Sequence, residues 1–307
     1  MSQVFYYLIF PGFLFTSLLG IFASWFDRKL TARLQWRVGP PFLQPLYDLL
    51  KLLGKEVILP RSTSLWTFLL FPLIGLSVAF LATNIIWFSF LFPAQGFVGD
   101  IVVVIYLLTI PATALIIAAF ASANPLASVG ASREIKLVLS YELPFLLSAL
   151  VPLIKAHTLK LGGFIEYQVN NGFIIGSFSG AVAFIVALLC TQAKLGLAPF
   201  DIAEAETEIM AGVYIEFSGP VLAVFKLTKF VLLVAAPLLL VNLFWGSPVV
   251  GVTSFLALLV KYLSVVLLTV LIRNTNPRLR IDQAMRFFWG KATILAIIAV
   301  ILAIRGY

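Results

Sequence analysis

Hydrophobic and polar positions alternate along this chain on the scale of whole helices. Apolar runs of about twenty residues, the length that crosses a hydrocarbon layer, occupy residues 4–26, 66–91, 100–121, 135–154, 174–195, 217–244, 250–272 and 287–305. The longest polar connection, residues 27–65, separates the first two. Within it Leu46, Leu49, Leu50 and Leu53 recur at helical spacing over Leu43 to Leu53, with Asp48, Lys51 and Lys55 among them. That pattern predicts an amphipathic helix lying on the membrane surface. The expected fold is an all-α polytopic membrane protein, one transmembrane domain over residues 1–307 with about eight spans. The first run follows Met-Ser-Gln without a basic flank and outlasts a signal-peptide core, so it reads as a retained span.

Composition agrees. Charged residues make up 11% of the chain, against about 25% in soluble domains. One cysteine, Cys190, and one histidine, His157, exclude a cysteine-ligated iron–sulfur cluster, a bis-histidine haem and an internal disulfide. No metal site and no resident cofactor is expected in this chain.

Eight spans put both termini on one side and divide the basic residues unevenly. The connections at 27–65, 121–136, 194–216 and 273–291 hold 15 of the 21, among them Arg61 and Lys194, while the opposite side holds Lys155, Lys160 and Arg305. The positive-inside rule makes the first set cytoplasmic and both termini external in a multi-pass protein of the cell membrane. The net charge of +8 thus signals orientation and contact with anionic lipid. Nucleic acid is not an expected partner, because the basic residues flank spans.

The candidate chemistry is acidic. Five of the 13 carboxylates, Asp201, Glu204, Glu206, Glu208 and Glu216, fall within one short connection between spans. On a continuous helix Asp201, Glu204 and Glu208 would lie within about 60° of each other. Pro199-Phe-Asp201 followed by Glu204 also suits a helix start with a capping box, which leaves Glu208 and Glu216 unexplained. Carboxylates this close raise one another's proton affinity and can relay protons or ions. Glu142 lies inside a span, and an ionisable group there is a functional candidate by default. With a helix starting near Arg133 it would be about 13 Å deep; its bland role is a salt bridge to a lysine. Lys226, Lys229 and Lys261 also fall within spans, as carboxylate partners or relay elements. Lys226 can snorkel toward the nearby end, and Lys261 is the deeper relay candidate.

Basic residues in the cytoplasmic connections suggest a docking surface: Arg33 and Arg37 in the first, Arg133 and Glu134 in the second, and Arg278, Arg280, Asp282 and Arg286 in the last. Six pieces, in order along nearly the whole chain, carry a resemblance: Arg33-Leu-Gln-Trp-Arg-Val-Gly-Pro, Leu43-Gln-Pro-Leu-Tyr-Asp-Leu-Leu-Lys51, Ser140-Tyr-Glu142, Ala198-Pro-Phe-Asp-Ile-Ala-Glu-Ala-Glu-Thr-Glu208, Ala211-Gly-Val-Tyr-Ile-Glu-Phe-Ser218 and Arg278-Leu-Arg-Ile-Asp-Gln-Ala-Met-Arg286. Together they resemble the membrane subunit that anchors the peripheral arm of respiratory complex I, the subunit 1 family, and its relatives in energy-converting membrane-bound hydrogenases and sulfur-reducing complexes.

The resemblance implies an eight-helix anchor whose cytoplasmic loops meet an iron–sulfur protein. Partners would be hydrogenase-like arm subunits, antiporter-like subunits and small membrane subunits. Iron–sulfur clusters, and in the hydrogenase branch a nickel–iron centre, would reside in those partners. It also implies an acidic path through Glu142, Asp201, Glu204, Glu206, Glu208 and Glu216. Two departures favour the hydrogenase and sulfur-reducing branch. The chain has Arg37-Val-Gly-Pro-Pro41 without the extended first-loop motif of complex I. It also has Gly130-Ala-Ser-Arg-Glu134 in place of Trp-Ser-Asn-Lys. A quinone partner belongs to the alternative, complex I itself. A stand-alone ion-coupled transporter and a purely structural anchor are the other readings; the missing internal repeat argues against the transporter.

Overall fold

A computed structural model describes residues 2–60 and 63–306; Arg61 lies outside them. Every regular element among these residues is helical. In chain order they are α1 Ser2–Leu8, α2 Phe13–Leu34, α3 Gln44–Leu53, α4 Leu65–Leu91, α5 Asp100–Leu107, α6 Ile110–Ala121, α7 Pro125–Ala156, α8 Leu161–Asn171, α9 Phe178–Lys194, α10 Glu206–Ile209, α11 Gly219–Trp245, α12 Val252–Thr275, α13 Ile281–Arg286 and α14 Thr293–Ile304. A π-helical turn, Phe287–Ala292, joins the last two. Seven stretches are long and apolar enough to cross a membrane: Phe5–Leu34, Leu65–Leu91, Asp100–Ala121, Pro125–Ala156, Gly219–Trp245, Val252–Thr275 and Ile281–Ile304. An eighth apolar helix, α9, has only 17 residues. The chain is a polytopic helical membrane protein.

Helix α11 is the axis of the bundle. From Phe230 to Phe244 each of its residues is buried, because α2, α4, α9 and α12 surround it. A helix apolar on all sides belongs inside a bundle. Helix α3 forms where the 3.6-residue pattern places an amphipathic helix. It sets Leu49 against Ala223 and Phe230 of α11 and leaves Tyr47, Leu50 and Leu53 exposed. Gln44 and Arg28 both bond to Asp48, at 3.0 and 2.8 Å, tying α3 to α2.

Two boundaries differ from the sequence reading. Helix α7 begins at Pro125, ten residues before the expected span and eight before Arg133. The reason is local: Asn124 caps it, its Oδ1 accepting from the Leu126 N–H at 2.8 Å, and Pro125 supplies a preset φ at the first position. The last apolar stretch begins at Ile281, where Gln283 Oε1 reaches back to accept the Arg280 N–H at 3.1 Å and satisfies a free backbone donor at the start of α13.

Helix α9 ends at Lys194, beside Glu142. Glu142 lies 17 residues into α7, about 25 Å from its start. The space alongside the first half of α7 is therefore filled by irregular chain, residues 195–218, packed against α7. Non-helical backbone inside a membrane bundle is tolerated where protein buries it. Gly130 of α7 permits the contact: a Cβ there would meet the Val213 nitrogen at 2.8 Å and the Ala203 oxygen at 3.1 Å.

Candidate functional site

The acidic connection is not a continuous helix. It runs as a 3-10 turn at Ile202–Glu204, the single turn α10, left-handed Met210 and Ala211 (φ 49° and 73°), and a second 3-10 turn at Gly212–Tyr214. The single face shared by Asp201, Glu204 and Glu208 does not form. Nor does the capping box, since the Asp201 side chain makes no cap hydrogen bond. Each described carboxylate is instead aimed at a different neighbour.

Arg278 donates to Asp201 Oδ2 from Nε at 2.7 Å and lies 2.6 Å away through Nη2. Arg133 donates to Glu208 at 2.6 Å. Glu216 accepts from Asn124, the residue that caps α7. Lys229 reaches both oxygens of Glu204 at 2.5 Å and lies 4.9 Å from the centre of the Tyr214 ring. The side chain of Glu206 lies outside the described residues. Arg278 and Arg133, expected on the docking face, thus pair with Asp201 and Glu208, expected in the relay. Arg33, Arg37, Arg280, Asp282 and Arg286 are exposed or half-buried at the same end of the bundle.

Glu142 is paired. Lys194 Nζ donates to it at 3.0 Å, and the Lys194 side chain is 1% exposed against 21% for Glu142. The ammonium lies 5.5 Å from the Tyr141 ring centre and 5.2 Å from that of Phe145, so aromatic faces replace much of its lost water. The sequence reading counts Lys194 only as an orientation signal and misses it as a site residue. It is followed not by polar loop but by Leu-Gly-Leu-Ala-Pro-Phe, the trace by which the sequence discloses its burial.

A small chamber, with room for a few waters, joins these groups. Glu134, Lys194, Glu204, Tyr214, Thr228 and Lys229 line it, with apolar walls from α6 and α11. The sequence reading groups Glu134 with the docking residues because it follows Arg133. The structure places it in the chamber instead, since helix geometry turns successive residues 100° apart. Burial pushes the Tyr214 hydroxyl pKa well up, and the Glu204 and Glu134 carboxylates push it further, so this phenol stays neutral.

The two other lysines separate. Lys226 acts electrostatically on Asp48 of α3. Lys261 does not join the acidic groups. Its ammonium bonds the Trp245 carbonyl at 3.0 Å and Ser247 Oγ at 2.9 Å and sits 4.5 Å from the Phe173 ring centre, at the opposite end of α11. Among the described residues no three His, Cys, Asp or Glu side chains gather as a metal site.

Comparison with known proteins places this arrangement. The sequence profile of the NADH dehydrogenase family matches residues 7–304. The chain is 34% identical over 311 residues to an NADH-quinone oxidoreductase subunit of Thermomicrobium roseum, covering 92% of this chain and 90% of that protein. It is 31% identical to NADH-quinone oxidoreductase subunit 8 of Thermus thermophilus, covering 90% and 80%. A chain in the structure of the archaeal membrane-bound sulfane sulfur reductase superposes with a TM-score of 0.87 at 29% identity, covering 94% of this chain and 96% of that one.

Proposed function

Because this chain belongs to the NADH dehydrogenase family, and matches NADH-quinone oxidoreductase subunits along nearly their whole length, we propose that it is the membrane anchor and coupling subunit of an ion-translocating respiratory complex. Redox chemistry would take place in a docked arm carrying iron–sulfur clusters. Arg33, Arg37, Arg280, Asp282 and Arg286 form the docking face. Charge rearrangement there reaches Asp201 and Glu208 through Arg278 and Arg133, then passes to Glu204, Lys229 and Glu142, and on to antiporter-like and small membrane subunits. In this reading the docking end faces the cytoplasm and both termini face out, in keeping with the basic-residue bias.

The observation that carries this reading is the Glu142–Lys194 pair, its ammonium buried and its carboxylate half-buried, set against a chamber lined by further carboxylates. Burying a charged pair is costly and seldom repaid in stability alone, so its retention among apolar walls points to use. The test is Glu142→Gln in the intact complex, reconstituted in liposomes, reading ions moved per electron transferred. That ratio is expected to collapse. A ratio equal to the parent's removes Glu142 from the coupling route and leaves a structural anchor.

The relatives' names support a second reading, in which the acceptor is a quinone. The overlay on the sulfane sulfur reductase chain and the Gly130-Ala-Ser-Arg-Glu134 sequence favour the hydrogenase and sulfur-reducing branch. Purification in mild detergent separates them. Hydrogenase-like and ferredoxin-like companions support the first, NADH dehydrogenase companions the second, and a lone chain that transports ions would restore the transporter reading.

A further inference from the structure

Three carboxylates, Glu134, Glu142 and Glu204, share their surroundings with two ammonium groups, Lys194 and Lys229. Lys229 is committed to Glu204 and Lys194 to Glu142. Glu134 has no ion-pair partner among the described residues. With every group ionised the set carries one negative charge in excess, beside the apolar walls of the chamber. Glu134 is half-buried, and an unpaired carboxylate against apolar walls gains proton affinity.

From this geometry we infer that Lys194 is a switching residue: its ammonium exchanges between Glu142 and Glu134, and each exchange carries one proton along α7 in the opposite direction. The inference rests on the coupling role proposed above. Lys194 both bonds Glu142 and lines the chamber that Glu134 lines. Its four-carbon stem is flexible and holds the charge as a compact point. The two carboxylates stand eight residues apart on one helix, about 12 Å along its axis.

The exchange balances. Before it, Glu134 is protonated and Glu142 is an anion paired with the Lys194 cation. Glu134 releases its proton, the Lys194 ammonium crosses to the new carboxylate, and the bared Glu142 carboxylate binds a proton. Afterwards Glu142 is neutral and Glu134 pairs with Lys194. Net charge is unchanged, so no bare charge persists among the apolar walls. Facing the lysine from the packed elements are Tyr141 and Glu142 of α7, Cys190 of α9, Glu204 and Tyr214 of the irregular segment and Lys229 of α11. Glu204 is held by Lys229 and so does not compete for Lys194.

The test uses the intact complex in liposomes and compares Glu142→Gln with the reversed pair, Lys194→Glu with Glu142→Lys. The reversed pair keeps an ion pair, but position 194 then carries a carboxylate, which cannot pair with Glu134 once that residue has lost its proton, and the exchange stops. Loss of ion transport per electron in both variants supports the switch. Loss in Glu142→Gln with parental transport in the reversed pair overturns the switch and leaves the coupling role standing. Parental transport in Glu142→Gln overturns both. Should the reversed pair fail to assemble, infrared spectroscopy of the resting parent decides. A protonated-carboxyl band that disappears in Glu134→Gln supports the proposal, and its absence from the parent overturns it.

Discussion

Removing the Lys194 charge should destabilise this chain far more than removing the whole ion pair. In Lys194→Met the side-chain volume is nearly kept and Tyr141 and Phe145 still cover it. The lost cation–ring attraction, about 2 kcal/mol when desolvated, is partly offset by sulfur–aromatic contact of about 1 kcal/mol. The larger cost is the Glu142 carboxylate left unpaired. Breaking a buried pair costs about 3–5 kcal/mol. Glu142 is 21% exposed, so the lower end, about 3 kcal/mol, applies; with the net loss of about 1 kcal/mol at the rings the total is about 4 kcal/mol. In Lys194→Met with Glu142→Gln neither charge remains, and neutral replacement of a buried pair is close to neutral in energy, within about 1 kcal/mol of the parent. The cycle therefore predicts a coupling of about 3 kcal/mol or more between the two positions.

The assay is the thermal midpoint of the purified complex, heated at one fixed rate because membrane complexes unfold irreversibly. Lys194→Met should melt well below the parent and the double variant close to it. If the double variant melts as low as the two single effects added together, the pair does not hold the fold as described. The exchange inferred above would then lose its resting state.

Other consequences follow from packing and charge. Gly130→Val should displace the irregular segment, since even a Cβ meets backbone at 2.8 Å; overpacking costs about 1–3 kcal/mol, and protease sensitivity between residues 200 and 215 should rise while α7 stays folded. Arg278→Gln should cost about 1–2 kcal/mol, reduced from the buried-pair value because the arginine is 45% exposed, and lower the thermal midpoint; Asp201→Asn in the same chain should recover most of it. Burial raises the Asp48 pKa, but hydrogen bonds from Arg28 and Gln44 and the charges of Arg28 and Lys226 outweigh it and leave the pKa lowered. Its stabilising pair is therefore complete above the unfolded value of about 3.9 and lost as pH falls through the lower folded value. Asp48→Asn should accordingly melt below the parent at neutral pH and together with it at strongly acid pH, where the parent's pair is already lost.

The membrane fold was legible because a hydrocarbon-length apolar run is a strong signal that needs no partner to interpret. Boundaries governed by a cap were readable in principle: Asn124-Pro125 is a helix start in sequence, although the basic residues after it suggest a loop. The path of residues 195–218 was not legible, because carboxylates spaced three and four apart suit a helix as well as they suit turns. What decides is tertiary. Gly130 opens a slot in α7, Gly212 turns at φ 47° where a Cβ would strike the Ala203 oxygen, and each described carboxylate of this segment finds a donor on another element. Lys194 illustrates the limit most sharply. Read by position, a lysine ending an apolar helix marks the cytoplasmic side; only the shortness of α9 and the apolar run after it place the ammonium inside the bundle. Sequence located the carboxylates because acids are scarce in this chain. It could not pair them, because the partners lie 25, 52, 75, 77 and 92 residues away in the chain, and pairing at such separations is set by the packing of whole helices.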